Sequence, residues 1–312
     1  MAFTIDVDEN KWSIDILKTL LIDRTTNRNI IWGTDDYEYL GNQYHSHFPI
    51  EVELITGKHS DIIRPRVLKA KEKQGTRTKD RAEVFTPSWI CNAQNNLVDN
   101  AWFEREKIFN IEKKPSWEAT SEKIEFPKGR KWKDYVDENR LEITCGEAPY
   151  LASRYDTVTG DPIELDQRIG MLDRKMRVID ENVETEKEWM KWTERAFQSI
   201  YGFEFQGDSL LIARENLLAS YCDYFEERFK MEPEEKELLK IANIISWNLW
   251  QMDGLTFTIP YQEAVEPNMQ LKFFDLVGAE EKVLCVIKDW RARKNITFQD
   301  LLNKEDDANE RK

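Results

Sequence analysis

The stretch that decides the fold is Leu141-Glu142-Ile143-Thr144-Cys145-Gly146-Glu147-Ala148-Pro149-Tyr150-Leu151. Its beginning predicts a short strand that ends at the acidic Glu142. The small residues Cys145-Gly146 then allow a tight turn, after which we expect a helix to begin. A strand, a glycine turn and a helix in this order hold nucleotide-type cofactors in doubly wound α/β folds, because the turn lets main-chain N–H groups approach the ligand. The stretch therefore predicts an α/β fold with a cofactor site.

Two later segments extend this pattern. Ile200-Tyr201-Gly202-Phe203-Glu204-Phe205 predicts a second strand, and Gly207-Asp208-Ser209 predicts the start of a long helix that runs to about Phe229. The acid at the end of the second strand accepts hydrogen bonds from ribose hydroxyls in such folds, which assigns this role to Glu204. Asp253 follows a predicted helix, and we expect it to meet either an adenine amino group or the neighbouring loop. The β-α-β-α-β order of these segments predicts a nucleoside-type cofactor.

The composition limits both the size and the partners of the protein. The chain has 312 residues, of which 40% are hydrophobic and 33% charged, enough for one large α/β domain or two smaller ones. Its net charge is -14, whereas a protein that binds DNA unaided usually presents a basic face, so tight autonomous DNA binding is not expected. One window, residues 61–83, is strongly basic. It is either a solvated helix face or loop, or a segment that contacts phosphate groups.

The sequence predicts neither a metal site nor a signal peptide for export. The four cysteines are far apart and form no CxxC motif, and the three histidines are distant from them in sequence, so we expect reduced thiols in the core. The N-terminus carries Asp6, Asp8 and Glu9 in place of a basic, apolar signal sequence. No apolar stretch approaches the roughly 20 residues of a membrane span. The sequence thus predicts a cytoplasmic protein without a membrane partner.

A further motif, Phe85-Thr86-Pro87, stands upstream, directly before a predicted helix. Together with the Leu141–Leu151 stretch, it resembles the modification subunits of restriction systems, which are class I S-adenosylmethionine-dependent adenine-N6 DNA methyltransferases. Their first-strand motif commonly reads D-P-A-C-G-S-G-x-F-L; here Glu142 takes the place of the Asp, and Cys145-Gly146 match. The resemblance covers roughly residues 84–255, where these segments also match: Tyr150-Leu151, Tyr201-Gly202-Phe203-Glu204, Ala213-Arg214-Glu215-Asn216-Leu217-Leu218 and Asp253-Gly254-Leu255.

The resemblance implies a fold, a cofactor and partners. It implies a class I methyltransferase-like (Rossmann-like) doubly wound sheet that binds S-adenosylmethionine. In the family the F-T-P turn lies over the methionine part of the cofactor, and the acid that Glu204 matches holds the ribose. DNA would be the substrate, and a specificity or restriction subunit would be the partner, since no target-recognition domain is visible. The predicted cofactor-binding residues are Phe85, Thr86, Pro87, Glu142, Cys145, Gly146, Glu204 and Asp253.

On this resemblance the chain divides into three parts. We expect an N-terminal accessory segment at residues 1–83, a methyltransferase-like domain at residues 84–302 and a charged tail at residues 303–312. Two charged, irregular stretches inside the domain are predicted insertions, near residues 104–140 and 156–186, and the second is expected to wrap the surface. Further predicted elements are helices at residues 12–21, 88–103, 188–199 and 234–249 and strands at residues 29–32, 50–55 and 283–287.

The chain departs from the family pattern at two points. Ala148 replaces the second glycine of the first turn, which is tolerable only if the φ of Ala148 is negative. The catalytic tetrad [DNS]-P-P-[YFW], which in the family holds the target adenine and stacks on it, is missing. Two degenerate substitutes exist, Thr258-Ile259-Pro260-Tyr261 and Asp289-Trp290, although both also fit ordinary structure. We predict Asp289 and Trp290 as the catalytic pair, because they follow an apolar strand.

Three functions remain open. The first is an S-adenosylmethionine-dependent DNA (adenine-N6) methyltransferase-like modification subunit of a restriction or phage-defence system. The second, which the missing tetrad favours, is a catalytically inactive methyltransferase fold that acts as a binding or regulatory subunit. The third is methylation of RNA or of a small molecule. The methyltransferase interpretation requires the strand ends at residues 142, 204 and 289 to converge on one crevice. The P-loop, GxSxG and HExxH motifs of other enzyme classes are absent from the sequence.

Overall fold

The computed structural model describes residues 9–69, 86–261 and 283–302. Most of the basic window, residues 70–83, and the predicted tail at residues 303–312 lie outside this part. The helices are, in chain order, α1 (Ile14–Leu21), α2 (Val52–Ile55), α3 (Ser88–Phe103), α4 (Trp132–Asp137), α5 (Met171–Asn182), α6 (Glu186–Gln198), α7 (Gly207–Phe229) and α8 (Glu235–Asn248). The strands are β1 (Ile22–Asp23), β2 (Arg28–Asn29), β3 (Asn110–Lys113), β4 (Ser116–Ala119), β5 (Arg140–Glu142), β6 (Ile200–Glu204), β7 (Leu249–Gln251), β8 (Val286–Asp289) and β9 (Lys294–Thr297).

Three of these strands form a small parallel sheet in the order β5-β6-β7. The helices α5 and α6 connect β5 to β6, and α7 and α8 connect β6 to β7, so the fold is mixed α/β. The strand β7 was not predicted, because α8 runs directly into it at Leu249 without a Gly or Pro to mark the end of the helix. Within the described residues, the sheet does not show the reversal of strand order that defines a doubly wound fold.

The N-terminal segment shares its hydrophobic core with the sheet. The helix α1 begins at Ser13, whose side chain accepts a hydrogen bond from the N–H of Ile16. Its buried residues Leu17 and Leu20 belong to the same apolar cluster as Trp32 and the inner face of α7, and α1 packs against both α7 and α8. Residues 9–69 are therefore stabilised by burial against the helices that cover the sheet.

One buried arginine ties these layers together. Arg214 of α7 is fully buried and donates to the main-chain carbonyls of Leu20, Ile22 and Leu249, the last at 2.6 Å from Nη2. Burial lowers the pKa of Arg214 to about 9, because desolvation disfavours the charged form. The carbonyl contacts compensate for that cost, so this residue of the Ala213–Leu218 motif joins α1, α7 and β7.

The second predicted insertion does not simply wrap the surface, because it contains the buried helix α5. The inner face of α5 carries Arg174 and Lys175, both almost fully buried. Arg174 pairs with Asp99 of α3 at 2.6 Å, and the ammonium of Lys175 donates to the carbonyl of Val136 at 3.0 Å. Burial lowers the pKa of Lys175 well below its usual value. These charged residues at core positions conceal the apolar periodicity that would have predicted the helix.

Two other local predictions change in the structure. The alternating residues 50–55 do not form a strand; Val52–Ile55 is a single helical turn, with Val52 and Ile55 buried. The first predicted insertion contains an antiparallel hairpin, β3–β4, followed by α4. All four cysteines are free thiols. Among the described residues, no helix combines the length and apolar character needed to cross a membrane.

Candidate functional site

A cavity of about 920 Å³ opens at the carboxyl ends of the three parallel strands. Open α/β sheets bind their ligands at this edge, because the loops after the strands present main-chain groups there. Pro87 precedes α3 and does not line the cavity, and Phe85 lies outside the described residues. The other predicted cofactor-binding residues all line it: Thr86, Glu142, Cys145, Gly146, Glu204 and Asp253.

The turn after β5 forms one wall, and it differs from the predicted strand–turn–helix unit. The N–H of Cys145 donates to the carbonyl of Phe203 at 2.8 Å, which joins the turn to β6. Gly146 and Ala148 are both left-handed, with φ of 52° and 62°, so Ala148 does not meet the expectation of a negative φ. This conformation costs an L-residue about 1 kcal/mol. No helix begins at the turn; a short 3-10 helix follows at Leu165–Gln167, and the next α-helix along the chain is α5.

Glu204 connects this turn to the segment that leads into α7. Its Oε2 accepts a hydrogen bond from the N–H of Gly146 at 2.9 Å. Its Oε1 accepts from the N–H groups of Phe205 at 2.9 Å and Gln206 at 3.1 Å. Bonds to a carboxylate are stronger than bonds between neutral groups, so they fix the side chain on the cavity wall.

Glu142 is the second acid of the cavity. Its two oxygens accept from the N–H groups of Tyr150 at 3.4 Å and Leu151 at 3.2 Å. Burial raises the pKa of Glu142 well above its usual value; the two N–H groups oppose the rise, and the nearby Glu204 adds to it. Two neighbouring buried carboxylates favour either a proton or a positively charged ligand.

Asp253 and several aromatic rings complete the lining. Asp253 lies just beyond β7, not after a helix as predicted, and its Oδ1 accepts from the N–H groups of Leu255 at 2.8 Å and Thr256 at 3.3 Å. Sequence reasoning missed Phe298, which follows β9 and packs against the ring of Phe203. The alternating apolar residues Ile296 and Phe298 are the feature of the sequence that could have predicted a strand here, with Phe298 on its buried face. The lining residues include no Lys, Arg or His among those that the structure describes.

The segment with Thr86 is held against the cavity by a neighbouring loop. The carbonyl of Thr86 accepts from Thr157 Oγ1 at 3.3 Å. Asp156 Oδ2 accepts from the N–H of Ser88, in the first turn of α3, at 2.7 Å. Burial opposes the ionisation of Asp156, but the N–H donors of Ser88 and of its own loop outweigh burial and lower its pKa.

The structure does not bring Asp289 and Trp290 to the cavity. They lie at the end of β8, which pairs with β9 as an antiparallel hairpin and does not join the parallel sheet. The indole N–H of Trp290 donates to Asn248 at 2.7 Å, and the Asn248 amide donates to the carbonyl of Ile200 at 2.8 Å. Because Ile200 begins β6, the pair lies at the amino edge of the sheet. The strand ends at residues 142 and 204 converge, and the one at residue 289 does not.

The other substitute for the tetrad lies closer to the cavity. The ring of Tyr261 packs edge-on against Phe205, with centroids 5.5 Å apart, and Phe205 lines the cavity. Pro260 and Tyr261 themselves line a separate, polar cavity of about 460 Å³ that also includes Asp23. Neither substitute therefore places a base-holding group directly on the main cavity.

The described part of the basic window is fixed to the protein. The main-chain N–H of Arg66 donates to Glu147 at 2.6 Å. The ammonium of Lys69 pairs at 2.9 Å with the buried Asp208, which also accepts from the hydroxyl of Tyr37. Lys69 thus forms a structural ion pair, and phosphate contacts by the rest of the basic window, residues 61–83, stay a prediction.

Possible metal ligands lie close together on an exposed loop outside the cavity. They are Asp35, Glu38 and His45, whose ligand atoms all lie within 4.8 Å of one another. His45 Nδ1 is 3.5 Å from Glu38 Oε2, a contact that a charged histidine makes without any metal. The sequence predicted no metal site, and this exposed group is the nearest approach to one among residues 9–69, 86–261 and 283–302.

Comparisons of the chain with models of known protein families, with curated proteins and with solved structures gave no match. The functional argument therefore rests on the geometry of the cavity.

Proposed function

We propose that the chain binds S-adenosylmethionine in this cavity and acts as a DNA (adenine-N6) methyltransferase-like modification subunit in which only the cofactor half of the expected crevice, at residues 142 and 204, is retained. Because the strand end at residue 289 does not reach the cavity, methyl transfer would require a base-holding group from outside the described residues. The observation that carries the proposal is the convergence of Glu142, Gly146, Glu204 and Asp253 on one cavity at the carboxyl edge of a parallel sheet. Glu142 and Glu204 are the last residues of β5 and β6, and Gly146 and Asp253 lie in the loops after β5 and β7. Their order along the chain is the one that the resemblance implies.

The charge of the cavity favours this cofactor over phosphorylated nucleotides. Glu142, Glu204 and Asp253 supply three carboxyl groups, of which Glu142 has a raised pKa and holds its proton more tightly than usual, and no described cation lines the cavity. A nucleotide phosphate placed there would be repelled and would find no positive partner. S-adenosylmethionine carries a sulfonium, an ammonium and a carboxylate group but no phosphate, so its net positive charge complements the cavity.

The lining residues fit the parts of this cofactor. Glu204, held by three main-chain N–H groups, is the acceptor for the ribose hydroxyls. The Cys145-Gly146 turn and Thr86 bound the space for the methionine end, and Asp253 is placed to accept from the adenine amino group. When bound, the cofactor supplies an electrophilic methyl group, and the chain orients it and excludes water. The proposal also includes a full doubly wound sheet, in which further strands lie beyond β5 in addition to the three parallel strands that the structure describes.

A second candidate is a methyltransferase-like fold that binds but does not catalyse. The observation that favours it is the position of Asp289 and Trp290 at the amino edge of the sheet, where they cannot hold a base beside the cofactor. On this alternative, the cavity serves a binding or regulatory role within a larger assembly.

Calorimetric titration separates the possibilities. We expect saturable binding of S-adenosylmethionine and S-adenosylhomocysteine at micromolar level, abolished by Glu204→Ala and unaffected by Glu227→Ala, an exposed acid on α7. NAD and ATP should not bind. No saturation at millimolar ligand, or equal binding of ATP, would refute the proposal. If the cofactor binds, transfer of labelled methyl groups to duplex DNA supports the first candidate, and binding without transfer supports the second.

A further inference from the structure

The strand β5, which leads into the Cys145-Gly146 turn, has one edge that pairs with no other described strand. It pairs only with β6 among the described strands, through bonds such as that from the N–H of Arg140 to the carbonyl of Ser199. Main-chain groups alternate in direction along a strand, so the N–H and C=O of Leu141 point away from β6. The side chain of Leu141 is 45% exposed and that of Ile143 is 66% exposed. Parallel sheets normally have both faces covered, so the exposure of two apolar side chains on one face beside this edge is unusual.

A groove of about 530 Å³ runs along this edge, between β5 and α3. Val98 of α3, itself 43% exposed, lines the wall opposite Leu141. The lining carries one basic residue, Arg140, and its side chain is 10% exposed and faces the carboxylates of Asp99 and Glu138. A nucleic-acid phosphate would therefore find no available cation. An uncharged, extended peptide would find apolar side chains and an open main-chain donor and acceptor.

The groove is continuous with the cofactor cavity. Leu141, Glu142, Ile143 and Tyr150 line both. In doubly wound sheets the strand that carries the cofactor turn has neighbours on both sides, and the ligand lies at the end of the gap between two of them. A strand placed in the groove parallel to β5 would therefore end at the cavity, where the described residues provide no base-holding group.

We propose that a partner polypeptide adds a parallel β-strand to the free edge of β5. The added strand is uncharged and rich in β-branched residues, and the residues that follow it complete the cavity. Only this last step, completion of the cavity, rests on the proposed function. The pairing itself depends on the edge and the groove alone.

The probe is an uncharged fluorescent strand peptide, acetyl-Ser-Thr-Val-Thr-Val-Asn-Tyr-Ser-amide, with a scrambled peptide of the same composition as control. We expect saturable anisotropy for the first peptide below about 1 mM, the weak range that short strand additions reach, and none for the scrambled one. Hydrogen exchange resolved to single residues should show a rapidly exchanging Leu141 amide in the chain alone and a protected one with the peptide. A Leu141 amide that is already protected in the chain alone would overturn the proposal, as would the absence of saturable binding.

Two variants test the position of the peptide. Leu141→Pro removes an N–H that points away from β6, together with the leucine side chain that lines the groove; edge strands tolerate proline, and the variant should abolish peptide binding. Val98→Glu places a charge on the apolar wall without touching the cofactor cavity, and should weaken the peptide at least tenfold while leaving S-adenosylmethionine binding unchanged. Peptide binding that survives both variants would overturn the proposal. Titration of S-adenosylmethionine without peptide tests the proposed function separately.

Discussion

The carboxylate of Glu204 accepts a hydrogen bond from the N–H of Gly146 at 2.9 Å, so the acid at the end of β6 holds the turn that follows β5. Neighbouring strands of a parallel sheet end side by side, which brings the two residues together although 58 positions separate them in sequence. The wall of the cavity is therefore built before any ligand binds. A preformed wall reduces the ordering cost of binding.

Replacing Glu204 by Gln should weaken both the fold and the site. Gln has one acceptor oxygen in place of two, so the N–H groups of Gly146, Phe205 and Gln206 cannot all keep their partners. We expect the free energy of unfolding to fall by about 1–3 kcal/mol, the usual effect of losing a buried bond to a charged group. Urea unfolding measures this change, with Glu227→Gln as the exposed control. Equal stability of the Glu204 variant and the wild type would contradict the account of the turn.

Replacing Asp156, which does not line the cavity, should nevertheless weaken ligand binding in it. Asp156→Ala removes the acceptor for Ser88 and frees the segment that carries Thr86, so we expect a loss of about 1 kcal/mol in stability, as for other lost helix caps, and weaker binding of S-adenosylmethionine. The pKa of Asp156 is lowered in the folded state. The contribution of its carboxylate to the free energy of unfolding is therefore fully present above the unfolded-state pKa of 3.8 and is lost as the pH falls through the folded-state pKa. Urea unfolding at pH 7 and pH 3 measures this. Asp161→Ala, in the same loop but exposed, should change neither property.

The sequence predicted those parts of the fold in which pattern and environment agree. The helix α3 was predicted with its observed bounds, and the bounds of β6 and α7 were close, because apolar spacing and start signals coincide there. Glu142, Gly146 and Glu204 were assigned to one site because short strands followed by small or acidic residues define a sheet edge. In the structure all three line one cavity, whereas their ligand stays a proposal.

Other parts could not be predicted because tertiary contacts override the local pattern. The buried charges of α5 conceal its core face, and only the contact with Asp99 of α3 explains Arg174. The apolar strand β8 was expected to join the main sheet, but residues 286–289 pair instead with residues 294–297. The alternation of side chains in a strand indicates which of them are buried, but it does not indicate with which other strand it pairs. The position of Trp290 could therefore not be predicted from the sequence.

The Asp99–Arg174 pair should behave as one unit. Both side chains are 1% exposed, so Arg174→Met leaves a buried carboxylate whose remaining charged neighbour, Arg140, is 3.9 Å away. We expect a loss of about 3–5 kcal/mol for this variant, and a smaller loss than the sum of the single variants when it is combined with Asp99→Asn. Urea unfolding of the four proteins completes the cycle. Lys230→Met, which breaks an ion pair exposed to about 70%, is the control and should change little. Additive losses would show that the two residues are not coupled.

Asp180 should make the protein less stable as the pH rises from 4 to 6. Burial raises the pKa of Asp180 to about 6, although the indole N–H of Trp189 donates to its Oδ1 at 2.6 Å. An acid with a raised pKa binds its proton more tightly in the folded state, so ionisation costs stability between the unfolded value of 3.8 and about 6, and the full cost remains above pH 6.

Asp180→Asn keeps an acceptor for Trp189 and cannot ionise. We expect it to match the wild type near pH 4 and to exceed it at pH 8 by on the order of 1 kcal/mol, reduced by screening because the side chain is partly exposed. Asp180→Ala, which leaves the indole N–H without its partner, should be less stable than Asp180→Asn at both pH values. A constant difference between Asp180→Asn and the wild type from pH 4 to pH 8 would show that Asp180 does not titrate in this range.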